Sequence, residues 1–251
     1  GLIRDLASNY DLNMIMLESP VFPWGIVHGD HHEALEVYIE PMVSHLYSTC
    51  FCNYCGSKAK ELGFNLGKIR EKIKRIIEES LRIPSYILTC IPREYSFDNF
   101  HGITSEIEEV QDLIKYKFDV GKEVIEEVKN TIDEVNPRVD LSVITGPESR
   151  VQEGISYASV DNVVDAINLM VYYSKPECVY YQIKWAKELV RSSKVYASLR
   201  INYPVAYSPA IIEGEISAAM KAGADGLDFY NYGRAPLENL EWAGEGIRKM
   251  G

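Results

Sequence analysis

The chain has 251 residues, 46% hydrophobic and 25% charged, an ordinary composition for one large globular domain or two small ones. Its 26 basic and 37 acidic residues leave a net charge of −11, which argues against nucleic acid or an anionic membrane as the main partner, because both need a basic footprint. No run approaches the ~18 apolar residues of a membrane span, and five cysteines, three of them within six positions, suit a reducing, cytoplasmic setting better than a disulfide scaffold.

Leu2, Ile3 and Leu6 have helical spacing with no capping residue before them, so the sequence opens inside a helix. A processed product or a missing N-terminal portion would open this way. Residues 13–18 read as a strand closed by Ser19 and Pro20. The loop that follows holds Pro23, Trp24 and the run His28-Gly-Asp-His31-His32-Glu33. Residues 33–48 are predicted helical and lead into Cys50-Phe-Cys52-Asn-Tyr-Cys55. One amphipathic helix is predicted over about 57–81, with Ile69, Ile73, Ile76 and Ile77 on one face. Residues 82–103 read as irregular. Helices are expected over 104–117 and 119–135, the second ended by Asn136-Pro137 because the residue before proline avoids the α region.

From there strands are predicted at 139–145, 166–173, 194–201 and 226–231, with helices at about 177–192, 209–222 and 236–249. Ser208-Pro209 and Gly223 supply start and stop signals for the second of these helices. Such alternation implies a parallel sheet covered by helices. In the strand at 194–201, Val195, Ala197, Leu199 and Ile201 alternate with Tyr196, Ser198, Arg200 and Asn202. The strand at 166–173 repeats the pattern, with Asn168, Met170 and Tyr172 on its polar side. A doubly covered open sheet would be apolar on both faces. One apolar row and one polar row fit an α/β barrel wall whose inner side approaches a site. The expected fold is a TIM-barrel-like (β/α)8 domain over 1–251, represented by about its five C-terminal strands, with a His- and Cys-bearing insertion at about 21–103.

Three thiols within six residues can wrap one tetrahedral ion such as zinc, so Cys50, Cys52 and Cys55 are candidate metal ligands. A fourth ligand could come from His45, Cys90, His101 or residues before position 1. Alternatively the cysteines pack as small hydrophobes. His31 and His32, with His28 and Glu33, could bind a sugar or a metal, or form a solvated loop. Trp24 offers a stacking face for a sugar ring, and equally an anchor for its own loop. Glu18 stands at the C-terminal end of its strand, where barrel chemistry gathers, and is the candidate general acid. Tyr172, Arg200, Asn202, Tyr203, Tyr230 and Asn231 are expected to rim the same mouth. Asp228 alternates with Tyr230 and is expected either to pair with Arg200, the simpler arrangement, or to act as a second carboxylate.

The run from Leu46 to Cys55, the strand ending Leu17-Glu18-Ser19-Pro20 and the segment Asp228-Phe-Tyr-Asn-Tyr-Gly233 together resemble glycoside hydrolase-like (β/α)8 proteins. The cysteine spacing is similar to that of family 42 β-galactosidases. The resemblance implies a structural zinc held by Cys50, Cys52, Cys55 and a fourth cysteine lying before residue 1. It also matches Glu18 to the general acid that ends strand 4. The chain departs from that pattern in two places. Leu17-Glu18 replaces the usual Asn-Glu pair, and the strand at 194–201 ends without the carboxylate that a nucleophile requires. Retaining hydrolysis needs two carboxyl groups about 5–5.5 Å apart and inversion about 6.5–9.5 Å. The second would have to come from Glu33, Asp228, Glu148 or absent strands.

The expectation is therefore a glycoside hydrolase-like enzyme acting on a carbohydrate, with structural zinc at the cysteines. The alternatives are a barrel that binds carbohydrate without hydrolysis, or a metal-dependent enzyme using the histidine loop. A barrel short of strands would expose its edges, so self-association or a missing N-terminal portion is expected.

Overall fold

The computed structural model describes residues 1–18, 20–22, 46–47, 49–82, 106–146 and 153–250. They fall into two compact units, one within Gly1–Pro20, Lys122–Arg150 and Ile155–Gly251, the other within Val21–Gly121 and Val151–Gly154.

The first unit is built on five strands: β1 (Met14–Glu18), β2 (Asp140–Thr145), β3 (Ala166–Met170), β4 (Lys194–Arg200) and β5 (Gly226–Tyr230). All neighbours are parallel, and their order across the sheet is their order in the chain. A doubly wound sheet reverses its strand order at a switch point. This sheet never does, so it is a curled half-barrel wall, the α/β architecture expected from the sequence. The accompanying helices are α1 (Leu2–Asn9), the second half of α4 (Glu108–Val135), α5 (Tyr157–Val160), α6 (Pro176–Leu189), α7 (Pro209–Lys221) and α8 (Leu237–Arg248). The first half of α4 belongs to the second unit, with α2 (Asn53–Glu61) and α3 (Leu66–Ser80).

Register fixes the two faces. Leu141, Val143, Ile167, Leu169, Val195, Ala197 and Leu199 share one face and are completely buried. They pack with Val179 and Ile183 of α6 and Ile212 and Ile216 of α7 in one core. The opposite face carries Met16, Ser142, Asn168, Ser198 and Asp228, with Glu18, Arg200 and Tyr230 at the strand ends. Sequence alternation of period two has become one helix-facing and one site-facing surface.

Aspartates hold the strands at the opposite end. Asp165, just before β3, accepts the Leu141 N–H at 2.8 Å and pairs with Lys129 at 3.1 Å. Asp225, just before β5, accepts the Val195 N–H at 2.7 Å and pairs with Lys187 at 2.7 Å. Asp161 closes the turn before β4, accepting backbone N–H groups from Arg191, Ser192 and Ser193, each at 2.9 Å.

In the second unit Ala59, Leu66, Ile69, Ile73, Leu113 and Tyr116 form the core. The single helix predicted over about 57–81 is two helices. Gly63, at φ 85°, turns the chain between them, and Asn65 caps the second by accepting the Lys68 N–H at 3.0 Å. Conversely, the helices predicted at 104–117 and 119–135 are the single helix α4. Its Gly121 serves close packing: a Cβ there would lie 1.9 Å from the Gly154 carbonyl oxygen. No helix among the described residues is long and apolar enough to cross a membrane.

Candidate functional site

The site-facing row of the first unit is hydrogen-bonded from strand to strand. Ser142 of β2 donates its hydroxyl to the Asn168 side-chain oxygen of β3. Asn168 donates its amide to Asp228 Oδ2 of β5 at 3.0 Å, and Ser198 Oγ of β4 donates to the same oxygen at 2.7 Å. Ser142, Asn168 and Ser198 are at most 1% exposed. Polar groups this deep are satisfied by one another, and two donors aim the half-buried Asp228 carboxylate. The Arg200–Asp228 ion pair expected from the sequence does not form: Ser198, the register partner of Asp228, and Asn168 from β3 donate to the carboxylate instead, and Arg200 lies opposite Tyr230. Arg200 instead donates Nε to the Asn202 side-chain oxygen at 3.1 Å.

At the strand ends Tyr172 and Tyr230 stack with ring centroids 5.3 Å apart and planes 23° off parallel. The chain leaves β5 through a cis Tyr230–Asn231 peptide. Burial pushes the Tyr172 phenol well above its ordinary value; a hydrogen bond with Ser198 opposes this, while the charges of Asp228, Tyr230 and Glu18 add to it. Tyr172 therefore stays a neutral hydroxyl throughout the neutral range. Glu18 ends β1 and is exposed, as is Met16 below it at 45%, so the wall is open to solvent at this edge. The mouth thus offers two carboxylates, a stacked aromatic pair, an arginine and buried hydroxyl and amide groups.

Of the residues expected at the mouth, Glu18, Arg200, Asp228 and Tyr230 share one face of the sheet, and Tyr172 stacks on Tyr230 at its end. Asn202 follows β4, is 5% exposed and orients Arg200; Asn231 follows β5 and is half-buried. Tyr203, expected at the rim, is 76% exposed. Trp24, His31 and His32 lie outside the described residues, as do His28, Glu33, His45, Cys90, His101 and Glu148. Ser142, Asn168 and Ser198 join the site beyond the residues expected from the sequence, and the alternation that turns Arg200 inward turns Asn168 and Ser198 there too.

The second unit carries a different cluster. The Sγ atoms of Cys50, Cys52 and Cys55 all lie within 4.8 Å of one another and could hold a metal ion. Cys52 is the N-cap of α2 and Cys55 lies in its first turn, 3.6 Å away between sulfurs. Hydrogen bonding from the Cys55 backbone N–H, then from the neighbouring thiols, lowers the exposed Cys52 thiol to about 7, whereas burial raises Cys55 to about 12. Tyr116 of α4 donates its hydroxyl to the Cys55 carbonyl at 3.4 Å, tying the cluster to the unit's core.

No protein-family model matches this sequence, and no curated protein matches it. Among solved structures, bee venom hyaluronidase is similar at 15% identity and a TM-score of 0.37, over 53% of this chain and 51% of that one. The match thus spans about half the length of that protein.

Proposed function

We propose that the mouth of the β1–β5 wall is a glycoside hydrolase-like site acting on a carbohydrate. Glu18 is the general acid, protonating the leaving oxygen, and Asp228 is the second carboxylate, acting on the anomeric carbon directly or through a water. The Tyr172–Tyr230 stack is the floor for a sugar ring, whose apolar C–H face suits an aromatic surface while its hydroxyls meet the half-buried Asn231. One observation carries the proposal: carboxylates from the first and last strands of the wall, Glu18 and Asp228, lie on the same face of the sheet as the Tyr172–Tyr230 stack at its strand ends. The test is leaving-group dependence on aryl glycosides. With Glu18→Gln, kcat/KM for a phenyl glycoside should fall by about 10²–10⁴, the usual scale of general acid catalysis. The fall should be far smaller for a dinitrophenyl glycoside, whose leaving group needs no proton. Equal effects on both would remove Glu18 from the acid role.

A second reading, carbohydrate binding without turnover, is favoured by the engagement of Asp228 Oδ2 with both Ser198 and Asn168. It predicts saturable sugar binding and no release of reducing ends.

We assign zinc to the cysteine cluster, in a structural role. Three soft thiolates are the donor set zinc prefers. Tetrahedral Zn–S bonds of about 2.3 Å put sulfurs about 3.8 Å apart, and the Cys52–Cys55 separation of 3.6 Å is close to that.

A further inference from the structure

We propose that the substrate of this mouth is an acidic saccharide, and that Arg200 reads its carboxylate; this rests on the carbohydrate reading above. The starting point is an arginine without a counter-ion. Among the described residues of the first unit, the other cations without an ion pair, Arg138, Lys175, Arg191, Lys221, Arg234 and Arg248, are all exposed to solvent, which can satisfy them. Arg200, half-buried at the end of β4, pairs with none among the described residues, although Asp228 is close in the register. Its only hydrogen bond there runs from Nε to Asn202, which leaves the two terminal nitrogens for a ligand. That edge of a guanidinium matches a carboxylate bidentately.

The arginine is also held in place. Asn202 is 5% exposed, and its own carbonyl accepts the Val205 and Ala206 N–H groups at 3.2 Å each. Asn239 of α8, 4% exposed, donates to the Ile201 and Ala206 carbonyls at 2.6 and 3.1 Å. Buried amides thus fix the chain on both sides of the residue that aims Arg200. Such preorganisation is what a specific charge contact requires, and a solvated surface arginine lacks it. With a net charge of −11, the chain has no general attraction for an acidic sugar. The attraction must be local, and Arg200 stands beside the stacked rings that would hold the sugar.

The experiment measures binding of the methyl α- and β-glycosides of glucuronic acid and of glucose by ligand-observed NMR, at low and high salt. The wild-type chain should bind one glucuronide about tenfold or more tighter than the matching glucoside, the scale of a charge-assisted contact. Salt should narrow that gap. Arg200→Gln should reduce the ratio to near one while glucoside binding persists, and Arg200→Lys should keep part of it. Unchanged thermal unfolding of both variants excludes misfolding. Equal affinity for glucoside and glucuronide, or a preference that survives Arg200→Gln, overturns the acidic-substrate proposal and leaves the carbohydrate reading standing. If none of the four glycosides binds, the carbohydrate reading falls and takes this proposal with it.

Discussion

Glu215 gives the sharpest test of the helix-on-wall packing. It lies on the buried face of α7 with Ile212, Ile216 and Ala219, is 1% exposed, and neither of its carboxyl oxygens has a hydrogen-bond partner among the described residues. Burial raises its carboxyl from 4.5 to about 8. An acid with a raised folded-state value binds more protons folded than unfolded between those two values. Stability therefore falls as pH rises from 4.5 towards 8 and is flat beyond it. At about 1.4 kcal/mol per pH unit the full fall is at most about 5 kcal/mol, and local relaxation around the carboxylate brings the expected figure to about 2–4 kcal/mol. Glu215→Gln keeps the shape and removes the ionisation. Urea unfolding of both proteins at pH 5, 7 and 9 should show near-equal stability at pH 5 and the variant ahead by about 2–4 kcal/mol at pH 9. Groups that titrate in both proteins cancel in this difference. Parallel stability curves across that range would refute the buried, unpartnered placement of Glu215.

Lys117 of α4 is the counterpart of opposite sign: it is 1% exposed, sits 5.1 Å from the Phe22 ring centroid, and burial lowers it from 10.5 to about 8. Lys117→Met should therefore stabilise the chain by about 1–3 kcal/mol at pH 7, with the advantage shrinking as pH rises from about 8 to 10.5, measured by the same unfolding series. At Asp161 partial burial works against the charge, but the Ser193, Arg191 and Ser192 N–H groups outweigh it and hold the carboxyl below 3.8. Asp161→Ala should cost about 1–3 kcal/mol at pH 7. Because the folded value is depressed, that loss should disappear in acid, as wild-type stability falls through the folded value. The purified chain should carry about one zinc by elemental analysis, lost on Cys52→Ser and on chelation, with unfolding of the second unit as the accompanying signal.

Much of this molecule was legible in the sequence because period-two alternation survives burial. Val195, Ala197, Leu199 against Tyr196, Ser198, Arg200 gave both faces of β4, and strand ends were placed within a few residues. Helix boundaries around glycine were less legible. Gly63 and Gly121 look alike in sequence, yet one breaks a helix at positive φ and the other admits the Gly154 carbonyl beside an unbroken helix. That distinction depends on a contact 33 residues away in the chain. The Arg200–Asp228 pair fails for a similar reason: opposite charges on neighbouring strands suggest an ion pair, but the Ser198 hydroxyl directly opposite Asp228 and the Asn168 amide from β3 donate to the carboxylate instead. Local pattern shows which way a residue faces. Which partner it takes depends on register, and register is a property of the assembled sheet.

On the proposed reading Glu18 and Asp228 act together on a glycosidic bond. Its most direct test is the release of reducing ends from a panel of neutral and acidic oligosaccharides by the wild-type chain, Glu18→Gln and Asp228→Asn, with folding of each checked by thermal unfolding. The prediction is turnover of at least one oligosaccharide by the wild type, reduced by about 10² or more in each variant. Turnover that survives both substitutions unchanged, or none on any oligosaccharide by the wild type, would contradict it.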